Sequence, residues 1–272
     1  MRTVEATLHF LGAMQERPVY SPTVSGGTNL ILEPHTVRIT DARTLTEPPS
    51  LDRDGFALVQ HSSAVRNRRE LRHREHRYLD EIAELIGRVS GAKEVRPAPR
   101  PITRYVNRND ARGSMGTAPA LRFVHTDYTD TSARQHFLGQ VIDPNEALRR
   151  FRRIVVYQAW RCLSQPPQDV PLTLSDAGSV RHEDTVTAET VVDSDYAAGR
   201  SLEYTMCRYN PQQRWYYFSC MTPDDVLVFK GHELAAARPG HVFHSAFDDP
   251  SVPSGTPARM SIEARAFAFF ES

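Results

Sequence analysis

The chain has 272 residues, 40% of them hydrophobic, and carries 33 Lys+Arg against 33 Asp+Glu, a formal net charge of zero beside 11 histidines. A disordered chain would be poorer in large apolar residues, a phosphate-neutralising nucleic-acid binder would be basic, and 14 Gly with 19 Pro lies far from a collagen-like content. What remains is a globular protein with enough chain to bury a sizeable core.

Residues 3–11 (TVEATLHFL) alternate as a strand, and 12–62 read as strands and loops. Residues 64–88 are rich in Arg, Glu and Leu, and Leu71, Leu79, Ile82 and Ile86 predict a long helix. Its six arginines between 65 and 78 lack interleaved aromatics and read as a solvated face with i,i+4 Glu–Arg pairs. Residues 92–120 look like a Pro- and Arg-rich connection. LRFVHTDYT (121–129) is a short strand running into a polar bend. Helical pieces follow near 132–139 and at 144–152, the second capped by Asp143 before Pro144.

From Ile154 the pattern is almost wholly β, in short β-branched or aromatic runs separated by Pro, Gly, Asn and Asp. YNPQQRW (209–215) reads as a hairpin turn. In the last strand Ile262, Ala264, Ala266 and Ala268 share one face, and Ser261, Glu263, Arg265 and Phe267 the other. The expectation is a mainly β (α+β) sandwich or jelly roll with helices packed on one face. It forms a single domain: N-terminal strands and a helix over 1–120, then a β core over 121–272 with a helical insert near 132–152.

Cys162, Cys207 and Cys220 show no CxxC spacing, so neither a thiolate zinc site nor a disulfide framework is indicated. Cys207 and Cys220 fall in predicted strands and read as buried thiols. Residues 1–14 contain Glu5 and His9 and no apolar core, so they do not read as a leader. No apolar run approaches the roughly eighteen residues of a membrane helix. The expectation is a cytoplasmic protein engaging neither membrane nor nucleic acid.

The informative constellation is His125-Thr126-Asp127, then His244, then Arg259-Met260-Ser261. H-x-D on a strand end puts an imidazole and a carboxylate on one side. A distant histidine completes two His and one carboxylate with open positions, the facial triad of non-haem Fe(II) oxygenases. An arginine on the following strand, with Ser261 on its face, can hold a carboxylate in a bidentate pair. A dicarboxylate such as 2-oxoglutarate needs that anchor for its far end. Alternatives stay open. His182-Glu183-Asp184 is a second H-x-D at an acceptable strand count. His241 competes with His244, though three residues apart on a strand means opposite faces. Arg265 shares a face with Arg259, and Arg161 is a further candidate for the same anion.

VHTDYT, YQAWR, PLTLSDAGSV, YNPQQRWYYFSCMTPDDVLVFK, HSAFDDP and RMSIEAR together resemble the Fe(II)/2-oxoglutarate-dependent enzymes grouped with the 7α-cephem-methoxylase small component and the AsaB-type hydroxylase/desaturases, which include aziridine-forming oxygenases. The likeness runs from about Leu121 to the end, with a weaker echo at the N-terminus. It implies a double-stranded β-helix (cupin-like jelly roll) and metal ligands His125, Asp127 and His244. It also implies Fe(II) with 2-oxoglutarate and O2 as co-substrates. Three positions depart from the family: Gln158 stands for Asn, Cys162 for Pro, and Phe243 for Pro before the distal histidine.

The resulting expectation is a dioxygenase oxidising a small natural-product intermediate by hydroxylation, desaturation or oxidative ring formation, with release of succinate and CO2. The ligand set is His125, Asp127 and His244. Arg259, Ser261, Arg265 and Arg161 are the co-substrate candidates, and Tyr128, Gln158 and Trp160 the candidate pocket residues. A carboxylate at 127 argues against halogenation, which would need that position for chloride. Two other classes fit the same ligands: a non-catalytic jelly-roll binding protein, and a zinc hydrolase with water in the fourth position. Neither needs the Arg259/Ser261 pair. A homo-oligomer is compatible with the sequence.

Overall fold

The computed structural model describes residues 1–22, 27–105, 117–191, 201–234 and 240–271. Along the chain come β1 (Thr3–Leu11), β2 (Val19–Tyr20), β3 (Leu32–Asp41), β4 (Phe56–Gln60) and α1 (Arg68–Ser90). Then follow β5 (Glu94–Pro97), β6 (Ile102–Tyr105), β7 (Thr117–Pro119), β8 (His125–Thr126) and α2 (Pro144–Arg150). The remainder is β9 (Arg153–Cys162), β10 (Leu172–Ser175), β11 (Thr185–Thr190), β12 (Leu202–Cys207), β13 (Trp215–Tyr217), β14 (Asp225–Leu234), β15 (His244–Ala246) and β16 (Met260–Phe270).

Among the described residues the strands form two sheets. One has the order β1-β3-β13-β10-β15-β8-β12-β11-β2 and the other β4-β14-β9-β16-β6-β7, with β5 added on β16. The early strands are woven into both: β3 runs parallel to β13, and β4 pairs antiparallel with β14.

The alternation in β16 divides its two faces as the sequence predicts. Ile262, Ala264, Ala266 and Ala268 lie in one apolar cluster with Leu79, Ile82 and Ile86 of α1. Small alanines let the helix approach the strand closely, and each buried Leu or Ile contributes about 1.5–3 kcal/mol. Asn67 caps α1 by accepting from the Glu70 amide, and Gly91 ends it with a left-handed φ of 70°. The opposite face of β16 carries Ser261, Glu263 and Arg265, with Arg259 just before the strand.

Several sequence expectations are corrected. The 92–120 connection holds β5 and β6, which pair with β16, and β7, which pairs with β6; its GSMG stretch lies outside the described residues. Pro97 and Pro101 hid these strands, and proline is tolerated where β5 borders only β16. YNPQQRW turns the chain but makes no hairpin, because β10, β15 and β8 lie between β12 and β13. The 121–129 segment contributes only the two residues of β8. Cys220, read as a buried strand thiol, is exposed on a turn with φ 49°, while Cys207 is buried as expected and Cys162 is buried too.

Candidate metal centre

β8 lies directly beside β15, and the only residues these two strands pair are His125 and His244. Their rings sit 4.4 Å apart, centroid to centroid. Asp127 follows two residues after His125, on the same side. One ligand atom from each of His125, Asp127 and His244 can be chosen so that all lie within 4.8 Å of one another. His125 Nδ1 donates to the Phe123 carbonyl at 2.8 Å, which fixes the tautomer and turns the Nε2 lone pair toward Asp127 Oδ1, 3.6 Å away. Burial and the neighbouring His125 push His244 down to about 4, so it stands neutral, the form a metal requires. Burial acts to raise Asp127, but the Arg265 guanidinium holds it well below the usual carboxylate range.

The other candidates fall apart into neighbours and strangers of this centre. His182 is exposed on a short helical turn, and Asp184 there accepts from Asn210 and Gln213 instead. His241 stacks on His232 at 5.9 Å and is not part of the ligand cluster. Arg161 pairs across with Ile262 and so lies on the α1 side of β9. There it packs over Tyr78 at 5.5 Å and contacts His61 at 2.8 Å. It is corrected as a co-substrate candidate: strand alternation turns it away from Gln158 and Trp160, which face the centre.

The two remaining arginines differ in what holds them. Arg265 donates from Nη2 to Asp127 Oδ2 at 2.8 Å and from Nε to Glu263 Oε1 at 2.7 Å. Arg259 is 2% exposed, and no carboxylate among the described residues forms an ion pair with its guanidinium. Its Nη1 reaches Ser261 Oγ at 2.9 Å, its Nε has no partner, and it lies over the Trp160 ring at 5.1 Å. Burial pushes it down to about 10. A buried guanidinium that no carboxylate pairs with among the described residues costs several kcal/mol, and an anion in the place beside it would offset that cost. A cleft lined by His125, His244, Trp160, Phe229 and Arg259 joins that place to the metal ligands.

Gln158 bridges Asp127 and Glu263 rather than lining this cleft. Tyr128 is buried among Val156, Leu234 and Phe267, with the Arg265 guanidinium 5.6 Å above its ring. The sequence missed Arg104, which lines the cleft with its Nε 3.9 Å from Glu263 Oε2. Its signal was position: Arg104 sits opposite Ser261 in the β6–β16 ladder.

Two facing sheets with a two-histidine, one-carboxylate cluster between them define the class: a β-helical protein with the ligand set of non-haem iron oxygenases. The model of a family described as an oxidoreductase/YMDC permease-like domain matches residues 8–269. Hydroxylase/desaturase CTB9 of Cercospora beticola is 31% identical over 259 residues, 88% of this chain and 78% of that protein. The Fe(II)/2-oxoglutarate-dependent dioxygenase nvfI of Aspergillus novofumigatus (strain IBT 16806) is 28% identical over 242 residues, covering 87% and 84%. The solved structure of the iron and alpha-ketoglutarate-dependent endoperoxidase NvfI superposes with a TM-score of 0.82 at 25% identity, covering 99% of each chain. The chain therefore belongs to the family of Fe(II)/2-oxoglutarate-dependent hydroxylase/desaturases, and its fold is the double-stranded β-helix. No described helix is long and apolar enough to cross a membrane.

Proposed function

We propose that this chain is an Fe(II)- and 2-oxoglutarate-dependent dioxygenase that oxidises a small natural-product intermediate by hydroxylation, desaturation or oxidative ring formation, releasing succinate and CO2. The single observation that carries the reading is Arg259, buried, hydrogen-bonded to Ser261 and paired with no carboxylate among the described residues. A zinc hydrolase or a binding protein built on the same ligands would have no use for it.

His125, Asp127 and His244 hold the metal, and their donor set fits iron(II) better than a structural zinc or a magnesium ion. Iron(II), with 2-oxoglutarate and O2, supplies the oxidising power, and the protein supplies binding and orientation. Arg259 and Ser261 take the far carboxylate of 2-oxoglutarate. Trp160 and Phe229 wall the cleft with apolar surface and exclude water, which strengthens that ion pair. Where the substrate is held decides between hydroxylation, desaturation and ring closure.

We read the chain as one oxygenase domain, because β3, β4 and α1 all join the sheets that hold the site. We place it in the cytoplasm, acting on a small molecule without nucleic-acid or membrane partners, and compatible with a homo-oligomer.

The test is anaerobic addition of Fe(II) and 2-oxoglutarate to the purified protein. A weak visible charge-transfer band is expected. Its absence overturns the function, and its persistence in His125→Ala overturns the ligand assignment.

A further inference from the structure

Two carboxylates, the partly buried Asp127 and the buried Glu263, share one pair of donors. Asp127 Oδ2 accepts from Gln158 Nε2 at 2.6 Å and from Arg265 Nη2 at 2.8 Å. Glu263 Oε1 accepts from the same Gln158 Nε2 at 3.1 Å and from Arg265 Nε at 2.7 Å. Carboxylates only accept, so the amide of Gln158 must present its NH2 to both. Glu263 is 4% exposed, and its hydrogen bonds and ion pairs go to Gln158, Arg265 and Arg104. A carboxylate buried at that cost has its use in what it holds.

What it holds is the orientation of Arg265. A guanidinium meeting a lone carboxylate prefers the bidentate fork, two parallel N–H bonds to both oxygens. Were Arg265 free to turn, it would take both oxygens of Asp127 and compete with the metal for them. Glu263 takes the Nε bond, which sets the plane of the guanidinium, and in that orientation Nη2 donates to Oδ2 of Asp127. Oδ1 is left toward His125 Nε2. Gln158 is kept in place from behind: a Cβ at Gly231 would fall 2.6 Å from its Oε1.

We infer that Glu263 is a positioning residue for the metal centre: through Arg265 and Gln158 it pins one oxygen of Asp127 and presents only the other as a ligand. The inference rests on the reading of His125, Asp127 and His244 as the metal site. It also gives the Gln158 departure a consequence, since an asparagine there is one methylene shorter than the side chain that spans Asp127 and Glu263.

The experiment uses the full-length apoprotein with Co(II) as a spectroscopic stand-in and Fe(II) under anaerobic conditions. Affinity is read by competition with a chelator, and ligation by the Co(II) visible spectrum. Glu263→Gln keeps the shape and removes the charge that fixes Arg265. It should weaken metal binding by about 10–100-fold and change the Co(II) bands. A folded Glu263→Gln protein with unchanged affinity and bands overturns the inference. Should that variant fail to fold, Gln158→Met decides on the same two readouts, with weaker binding and shifted bands expected and unchanged values overturning. His125→Ala is the control for the underlying reading. If it abolishes binding while Glu263→Gln leaves binding untouched, the metal site stands and only the positioning role falls.

Discussion

His125 and His244 are direct cross-strand partners on β8 and β15, their rings 4.4 Å apart. The two histidines of the candidate metal site are thus set by a backbone register, and Asp127 stands in the bend directly after β8. A ligand-bound native state gains RT ln(1 + [L]/Kd), about 2.7 kcal/mol at a hundredfold excess over Kd. Wild-type protein should show that stabilisation when anaerobic Fe(II) is added. His244→Ala should fold and show none of it. Differential scanning fluorimetry with and without Fe(II) reads the difference, and equal gains in both proteins would remove His244 from the site.

Arg259, just before β16, and Arg265, on it, are in opposite electrostatic states, one paired with no carboxylate among the described residues and one between two carboxylates. Arg259→Met should leave apoprotein stability within about 1 kcal/mol of wild type, because it removes a buried charge that no described carboxylate pairs with. The same change should raise the KM for 2-oxoglutarate at least about 30-fold, the equivalent of about 2 kcal/mol for a buried charge-assisted pair. Arg265→Met should do the reverse to stability, costing about 3–5 kcal/mol by stranding Asp127 and Glu263. Urea midpoints and 2-oxoglutarate titrations separate the two. Equal destabilisation by both variants would contradict the assignment of the anion to Arg259.

The candidate cluster was legible because an H-x-D, a distant histidine and an R-x-S carry their own chemistry, and the faces of β16 because alternation is a period of two. Arg161 was misplaced although that same period was available: Gln158 and Trp160 face the centre, so the residue after Trp160 cannot. The partners of β8 and β15 were hidden, since strand order across β10, β15 and β8 is a long-range property that no local pattern encodes. Arg104 was hidden with them, in a proline-rich strand that earns its place only by pairing with β16.

Gly231 sits at a register shift in β14 between Lys230 and His232, and its carbonyl accepts from Thr126 Oγ1 at 3.0 Å. An added Cβ would meet Gln158 Oε1 at 2.6 Å and the Tyr128 ring at 2.8 Å. Gly231→Ala should cost about 1–3 kcal/mol of stability as an overpacked site. Removing the obstructing amide should relieve part of that, so Gln158→Ala should cost less in the Gly231→Ala background than in wild type. Urea denaturation of the four proteins closes the cycle. Strict additivity would mean that the two side chains do not compete for this space.

His241 should make the apoprotein acid-sensitive in a defined window. Burial, then the nearby His232 and His182, push His241 down to about 4 from an ordinary value near 6.5. The unfolded chain therefore takes up this proton first as pH falls. Stability is fully present above about pH 6.5, is lost as pH drops toward 4, and levels off below, a loss of up to about 3 kcal/mol from this one group. Burial also lowers His232 and His244, so the wild-type acid limb sums several histidines. His241→Phe keeps the aromatic volume beside Phe243, at 5.2 Å in the native ring pair, and removes one titrating group. Between pH 7 and 4.5 its unfolding free energy should fall less steeply than that of wild type, measured on metal-free protein by urea denaturation. Parallel curves would show that His241 takes up its proton equally readily folded and unfolded.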